Sequence, residues 1–242
     1  MNKRKILMLA MSLCMVAILA VGGTLAYFQD SDKAVNVFTV GNVDITLNED
    51  FPFNYDTNGD GTNDTHRLFP GVDVTKKVTV TNEGSEKAYV RVHIAVPAIL
   101  DSGDEDKPEF AAYNNTLHWN FSKESIVEGQ WNWGTSADAA NYPGNGGAWN
   151  EYQDTIDGKL YNVYVATYET ALTADQVTST EAIHKVYLDT KVTNEDVTTI
   201  INELGDIKIY VAAEGAQVEG FEDAFDALNT AFGVPGSYDF AW

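Results

Sequence analysis

Apolar and polar residues alternate with a period of two along much of the chain. The clearest run is residues 89–96, where four branched apolar residues alternate with tyrosine, arginine, histidine and alanine. Shorter runs of the same kind cover residues 43–47 and 77–81. In a β-strand this period puts alternate side chains on opposite faces, one toward a core and one toward water. We therefore expect half-buried strands, with Arg91 and His93 on a solvated face.

Turn-forming residues separate these runs and indicate how the strands connect. Asp157-Gly158 lies between residues 149–156 and 159–168, and this dipeptide strongly favours a β-hairpin. A second turn is expected at residues 82–85, which read Asn-Glu-Gly-Ser. Several antiparallel strands separated by turns, with few long helical stretches, predict an all-β chain folded as a β-sandwich.

Two short helices are expected to interrupt the strands. Asn194 should cap a helix that runs to about Leu204 and stops at Gly205. Apolar residues recur at helical spacing from Phe221 to Leu228, which predicts an amphipathic helix over roughly residues 220–231. One face of that second helix should pack on the sheet.

Residues 101–150 differ in composition from the rest of the chain. Residues 101–108 are acidic and turn-forming, and residues 136–147 are small, polar and rich in glycine. We expect long loops at about 101–150, at one end of a single sandwich domain that spans residues 41–242. Four tryptophans fall in this region, and core packing is favoured over an exposed carbohydrate-binding surface because tryptophan is highly buried on average. They are Trp119, Trp131, Trp133 and Trp149.

Residues 1–26 have the order of parts of a secretory signal peptide, and they predict a signal helix before the sandwich. Basic residues at positions 3–5 precede an uncharged apolar run, Ile6–Val21, and small residues follow it. We expect cleavage by a signal peptidase between Ala26 and Tyr27. The alternative is a retained anchor, because the stretch Ile6–Phe28 is just long enough to cross a bilayer ~30 Å thick. Membrane contact is expected only through this uncleaved segment.

The net charge argues against nucleic acid as a partner, and the cysteine content limits the chemistry of the mature chain. The formal net charge is −21, and an anionic surface of this kind is repelled by the phosphates of nucleic acids. Cys14 is the only cysteine and lies inside the apolar run. The mature chain would then have no disulfide, no thiolate metal site and no cysteine nucleophile. An exported protein of this size without disulfides is typical of bacteria.

Residues 56–64 form the one ligand-like motif in the sequence. Oxygen-bearing side chains stand at every second position, with glycine where the chain must turn, as in the first half of an EF-hand loop. The expected Ca²⁺ ligands are Asp56, Asn58, Asp60, Thr62 and Asp64. Arg67 stands where an EF-hand has its bidentate glutamate, so the alternative is a solvated loop of Asx turns. If Ca²⁺ binds, we expect a dissociation constant of ~10⁻⁴–10⁻³ M. No other cofactor is expected.

No catalytic constellation is visible in the sequence. The four histidines are scattered, and none belongs to a His-Glu-x-x-His motif of a zinc peptidase. There is no Gly-x-Ser-x-Gly elbow and no phosphate-binding loop. We therefore expect no catalytic residues and a protein that is not an enzyme.

Two blocks of sequence resemble the TasA/camelysin family. The first is Gly22–Phe28 followed by Asn36–Ile45, and the second runs from Leu68–Gly71 through residues 79–85 to Ala88–Val92. Together they cover about residues 20–95. The resemblance implies an exported Gram-positive protein cleaved by a dedicated ER-type signal peptidase, located in the extracellular matrix or on the cell surface.

The resemblance also implies a fold and a mode of assembly. Members of this family have a jelly-roll domain and form biofilm-matrix fibres, in which an N-terminal donor strand inserts into the next subunit. Here that segment would be residues 27–40, with Tyr27, Phe28 and Val35 as assembly contacts. The implied partner is another copy of the chain, in a homo-oligomeric fibre. The alternatives are a camelysin-like secreted metalloendopeptidase, for which no motif supplies zinc ligands, and a carbohydrate-binding cell-surface module.

Overall fold

A computed structural model describes residues 29–32, 43–101, 116–119, 131–138 and 148–242, with the backbone alone described for 29–32. These parts of the chain contain ten strands, two α-helices and one short 3₁₀ helix, Ala98–Leu100. The strands are β1 (Gln29–Asp32), β2 (Ile45–Asp50), β3 (Val74–Asn82), β4 (Ala88–Pro97), β5 (Leu117–Trp119), β6 (Trp131–Asn132), β7 (Glu151–Ile156), β8 (Lys159–Leu172), β9 (Ile183–Leu188) and β10 (Tyr210–Gln217). The helices are α1 (Asn194–Leu204) and α2 (Ala224–Phe232).

The strands form two antiparallel sheets that pack face to face. The larger sheet has the order β1-β10-β4-β8-β6, with β7 also paired to β8, and the smaller sheet has the order β2-β3-β9-β5. The main hydrophobic core takes buried side chains from both sheets, including Val78 and Ile183 from one and Val92 and Ala166 from the other. The predicted all-β sandwich with two short helices is therefore confirmed. The expected signal helix lies outside the described residues.

The hairpin predicted at Asp157-Gly158 joins β7 to β8. Both residues have positive φ angles, 51° and 76°, as a type I′ turn requires. The turn expected at residues 82–85 likewise separates β3 from β4. Of the region at 101–150, β5 joins the smaller sheet and β6 the larger one, while much of the remainder lies outside the described residues.

Both helices differ in detail from the sequence prediction. Thr193, not Asn194, caps α1: Thr193 Oγ1 accepts a hydrogen bond from the Asp196 N–H, and the Asp196 carboxylate accepts one from the Thr193 N–H. This reciprocal capping box satisfies two backbone donors, which Asn194 alone would not. Helix α2 begins at Ala224 and not near residue 220, because the Asp223 side chain accepts from the Asp226 N–H and fixes the first turn there.

The expectation of a solvated outer face on β4 is wrong. Every residue of β4 except Tyr89 is buried, including Arg91 and His93, which face away from the main core. Two elements cover this outer face: α2, through Asn229, and residues 233–242, through Tyr238 and Phe240. The period-two pattern of β4 therefore separates two buried environments, the apolar main core and an outer face that also holds the polar side chains of Arg91 and His93.

The favoured interpretation of the tryptophans as core residues is confirmed. Trp119, Trp131 and Trp133 are buried in the main core, and Trp149 is half-buried against it. Trp133 contacts the rings of Trp119 and Trp149, with the Trp119 and Trp133 centroids 5.3 Å apart, and the Trp131 ring packs against Tyr168. These four rings thus lack the flat exposed row that a sugar-stacking surface requires.

Candidate functional site

The N-terminal segment reaches the edge of the larger sheet. Strand β1 pairs with β10 of the same chain in antiparallel register, and β10 pairs on its other side with β4. The paired positions are Gln29 with Ala216, Asp30 with Gly215, Ser31 with Glu214 and Asp32 with Ala213. Four residues of the expected donor segment thus form an edge strand. Its predicted contacts Tyr27, Phe28 and Val35 lie outside the described residues, as does the predicted cleavage site between Ala26 and Tyr27.

Strand β10 has small residues where the smaller sheet packs closely against it. Apart from Glu214, its residues from 212 to 216 are alanine or glycine. A Cβ added to Gly215 would lie only 2.8 Å from Cγ2 of Ile45 on β2. The absence of a side chain at Gly215 therefore lets Ile45 pack directly on the backbone that pairs with β1. A glycine inside a strand is a sequence signal of such close approach, so this residue could have been found from the sequence.

The aspartate- and asparagine-rich loop is an ordered excursion between β2 and β3. Tyr55 and Thr65 form an antiparallel bridge at its base, and Asn54 exchanges hydrogen bonds with the backbone of Arg67. At its tip, Asp56 Oδ1 accepts from the N–H groups of Asn58 and Gly59, and Asp56 Oδ2 accepts from the Gly61 N–H at 2.8 Å. These backbone hydrogen bonds, from Gly61 and Gly59 above all, lower the pKa of Asp56.

The other predicted Ca²⁺ ligands also bond within the loop. Asn58 accepts from the Asp60 N–H, Asp60 accepts from the Thr62 N–H, and both oxygens of Asp64 accept from the Thr57 hydroxyl. The hydrogen bond from Thr57 lowers the pKa of Asp64. All of this agrees with a loop of Asx turns, which also occur in loops that bind Ca²⁺. Ca²⁺ binding stays a prediction.

A polar cluster lies buried on the outer face of the larger sheet. The exposed fractions of Arg91, His93 and Glu214 are 2%, 0% and 2%. Arg91 Nε donates to Glu214 Oε2 at 2.5 Å, and His93 Nε2 lies 3.2 Å from the same oxygen. Tyr238 donates to Glu214 Oε1 at 2.9 Å, and Tyr152 Oη lies 3.2 Å from His93 Nδ1. We call the residues Arg91, His93, Tyr152, Glu214 and Tyr238 the buried polar cluster.

Burial and pairing set the protonation states in this cluster. Burial holds the pKa of His93 below its ordinary value, against the opposing effect of Glu214. Burial alone would raise the pKa of Glu214, but its hydrogen bond with His93 and its ion pair with Arg91 hold that pKa below its ordinary value. Arg91 with ionised Glu214 and neutral His93 gives a cluster with no net charge. Neutral His93 then donates from Nε2 to Glu214 and accepts from Tyr152 at Nδ1.

Within the described residues, the histidines belong to no group of side chains that could hold a metal ion. All four lie in the described parts of the chain, where no group of three or more His, Cys, Asp or Glu side chains is placed to hold a metal ion. His93 lies against Glu214, and Glu214 is already paired with the positively charged guanidinium of Arg91. His118 Nε2 lies 2.9 Å from Asp189 Oδ2, and His66 Nε2 lies 2.7 Å from the backbone oxygen of Phe51. A catalytic zinc site needs three protein ligands around one point, and these histidines are not so arranged.

Sequence reasoning missed Glu214, the acid at the centre of the buried polar cluster. It is 123 residues from Arg91 and 121 from His93 in the chain, so spacing could not have joined them. One signal was available: Glu214 is the one charged residue in its strand and is flanked by alanine and glycine. A lone acid in such a strand needs a buried partner, because burying an unpaired carboxylate is costly.

The described helices include none that is both long and apolar enough to cross a bilayer. No curated protein and no solved structure matches the chain. The profile of one protein family, described as camelysin metallo-endopeptidase, matches residues 1–128 of the 242. This match covers the signal-like segment, the β1 segment, the aspartate-rich loop and the strands from β2 to β5. The chain belongs to the camelysin metallo-endopeptidase family.

Proposed function

We propose that the mature chain is a secreted structural subunit that assembles into extracellular fibres by exchange of its N-terminal strand. One observation carries this proposal: residues 29–32 add to the edge of β10 through main-chain pairing. A segment that pairs in this way within its own chain can form the same hydrogen bonds with β10 of another copy, since the pairing partners are identical.

The balance between pairing of β1 with β10 of its own chain and pairing with β10 of another copy depends on weak interactions. Each backbone hydrogen bond contributes ~0.5–1.5 kcal/mol net, so a four-residue strand is held only modestly. Two of the four residues of β1 are aspartates, which are poor strand formers and offer little apolar surface. A strand of this kind can leave its own sheet edge at moderate cost. Association then uses the same bonds, together with apolar residues such as Phe28 and Val35.

Export of the chain sets the order in which secretion, cleavage and assembly occur. The signal-like segment before Ala26 directs secretion, and cleavage by the signal peptidase frees Tyr27 as the new N-terminus. While the segment is uncleaved it tethers the strand to the membrane, so assembly begins only after cleavage. The product is a homo-oligomer in the extracellular matrix or at the cell surface of a Gram-positive bacterium. The excess of acids over bases keeps such subunits soluble before assembly.

Ca²⁺ is proposed as a ligand of the aspartate-rich loop. The backbone hydrogen bonds at Asp56 and Asp64 favour their ionised forms, which are the forms that bind a cation. The loop connects β2 to β3, and none of its predicted Ca²⁺ ligands belongs to β1 or β10. Ca²⁺ would therefore stabilise the subunit without taking part in strand exchange.

Peptidase activity is the second candidate function, and the family description is what favours it. Catalysis by this chain would need a metal centre, which the histidines of the described fold do not form, so we derive no catalytic step from it. An assay of the purified mature protein on an unfolded protein substrate, with added Zn²⁺ and with a chelator, decides between the two. We expect no chelator-sensitive cleavage, whereas cleavage that Zn²⁺ restores after chelation would establish the enzyme.

A peptide-binding experiment tests the proposed function. A synthetic peptide of residues 27–35 should bind the protein that lacks those residues, because the β10 edge is then open. The matched control is the same peptide with Asp30→Pro, since proline lacks the N–H group that a strand ladder uses. Fluorescence anisotropy should show saturable binding for the first peptide and a large loss of affinity for the second. Equal binding of both peptides, or of neither, would remove the basis for strand exchange.

A further inference from the structure

The last ten residues of the chain form a cover over the outer face of the larger sheet. We call residues 233–242 the C-terminal strap. Phe240 stacks on the His93 ring with centroids 4.3 Å apart, and Trp242 Nε1 donates to Asp154 on β7 at 2.8 Å. Arg91 donates to the backbone oxygen of Gly233 and to the Tyr238 hydroxyl at 3.0 and 2.9 Å. The strap is thus attached along its length to β4 and β7.

Two residues of the strap contact the groups of the buried polar cluster that can change charge, His93 and Glu214. The Tyr238 hydroxyl donates a hydrogen bond to Glu214, and Phe240 stacks on the ring of His93. The groups that face His93 come from every element packed around it. They are Arg91 on β4, Glu214 on β10, Tyr152 on β7 and Tyr238 on the strap, with Asp154 of β7 held by Trp242.

While the strap is closed, protonation of the buried polar cluster is unfavourable at either His93 or Glu214. With Arg91 positive, Glu214 negative and His93 neutral, the buried charges balance. Protonation of His93 leaves two cations against one carboxylate, and protonation of Glu214 leaves Arg91 without its counter-ion. Either product is a net positive charge shielded from water, which is costly in a buried site. Opening of the strap removes this cost because water then reaches His93.

We propose that the C-terminal strap is an acid-released cover, which is closed while His93 is neutral and opens when that histidine takes up a proton. Release uncovers an apolar part of the sheet. Ala95, Tyr161 and Val163 are buried there beneath Tyr152 and Trp242. The Phe240 and Trp242 rings are freed with it. An acidic surrounding would therefore give the subunit a new apolar surface at the face opposite to its main core.

Digestion from the C-terminus tests this proposal. The folded mature protein is treated with an acid-tolerant carboxypeptidase between about pH 5 and about pH 7.5, the range over which histidine titrates. The release of residues is followed by intact mass and divided by the rate for a free peptide of residues 233–242. Because opening takes up one proton, the normalised rate should rise on acidification by at most about tenfold per pH unit.

Two histidine variants identify the responsible group. In His93→Gln the side chain can still donate to Glu214 and accept from Tyr152 but cannot titrate, so the normalised rate should be independent of pH. The matched control is His184→Gln, at a half-buried histidine on β9 of the other sheet, which should keep the wild-type profile. A flat profile for the wild-type protein, or an unchanged slope in His93→Gln, would overturn the proposal.

Hydrogen exchange of the wild-type protein supplies a test that needs no variant. Amides of residues 233–242 should lose protection relative to their intrinsic exchange rates as the pH falls, while amides of β8 keep theirs. Uniform loss of protection across the whole chain would mean global unfolding and would contradict a separate strap. Unchanged protection of the strap at about pH 5 would contradict it as well.

Discussion

Ile45 of β2 and Gly215 of β10 bring the two sheets into direct contact beside the N-terminal strand. A Cβ at position 215 would come within 2.8 Å of Ile45 Cγ2 and 3.2 Å of Ile45 Cδ1. Gly215 is also the residue that pairs with Asp30 of β1. The side chain of one sheet therefore rests on the backbone to which the N-terminal strand adds.

Gly215→Ala should lower the free energy of unfolding, because Ile45 must then move away from β10. Overpacking of this kind costs ~1–3 kcal/mol. The cost should shrink in an Ile45→Ala background, which removes the three atoms nearest the new Cβ. A double-mutant cycle by denaturant unfolding measures this coupling. Equal costs of Gly215→Ala in the two backgrounds would show that the contact does not limit position 215.

Arg91→Met should be strongly destabilising, because Glu214 would remain buried without its cation. Removal of one partner of a buried ion pair costs ~3–5 kcal/mol. The matched control is Arg67→Met, at an exposed arginine that stacks over the Tyr55 ring, where the cost should stay below ~1 kcal/mol. Denaturant unfolding at neutral pH compares the two variants. Similar losses for both would mean that Arg91 contributes no more than a surface residue.

Asp101 should make stability depend on pH in a direction opposite to that of the buried polar cluster. Burial raises the pKa of Asp101 to about 6, although Tyr164 and Asn162 donate hydrogen bonds to it. A carboxyl whose pKa is raised by folding stabilises the folded state. This stabilisation is complete below the pKa of the carboxyl in the unfolded chain, near 3.8, and is lost as the pH rises through about 6. The shift corresponds to at most roughly 3 kcal/mol.

The variant Asp101→Asn isolates this effect. It keeps an oxygen that can accept from Tyr164 but carries no charge at any pH. Its stability relative to the wild-type protein should therefore increase as the pH rises from about 4 to about 6 and then stay constant. Unfolding curves of both proteins across that range give the difference directly. A difference that is independent of pH would show that Asp101 titrates normally in the fold.

Ca²⁺ should raise the melting temperature of the mature protein if the aspartate-rich loop binds it. With a dissociation constant of ~10⁻⁴–10⁻³ M, ~10 mM Ca²⁺ would add about 1.4–2.7 kcal/mol at room temperature. Asp60→Asn keeps the side-chain oxygen that accepts from Thr62 but loses the charge, so the shift should fall. Asp175→Asn, at an exposed residue in another loop, is the control and should keep it. No shift in the wild-type protein would leave only the Asx-turn loop.

The strands β2, β3, β4, β7 and β8 could be predicted because they depend on local alternation and local turns. The period-two runs at residues 77–81 and 89–96 lie in β3 and β4, and Asp157-Gly158 forms its hairpin turn through two positive φ angles. These features need only the neighbouring residues. The capping box of α1 is also local, because Thr193 and Asp196 stand three residues apart, and it could have been predicted from the sequence.

The burial of Arg91 and His93 could not be predicted in the same way. What covers them is Asn229, Tyr238 and Phe240, which lie more than 130 residues later in the chain. Alternation reveals that a side chain faces away from one core, but not whether another element packs on that side. Glu214 was missed for the same reason. The aspartate-rich loop could be recognised from its spacing, because its hydrogen bonds all join residues close in sequence.

Electron microscopy of the purified mature protein, with and without residues 27–35, tests the fibre proposal most directly. Removal of these residues deletes β1 but none of the other described strands, so the truncated protein should still unfold cooperatively. We expect fibres from the full mature chain and only monomers from the truncated one at the same concentration. Fibres of normal length from the truncated protein, or a full mature chain that stays monomeric at high concentration, would contradict it.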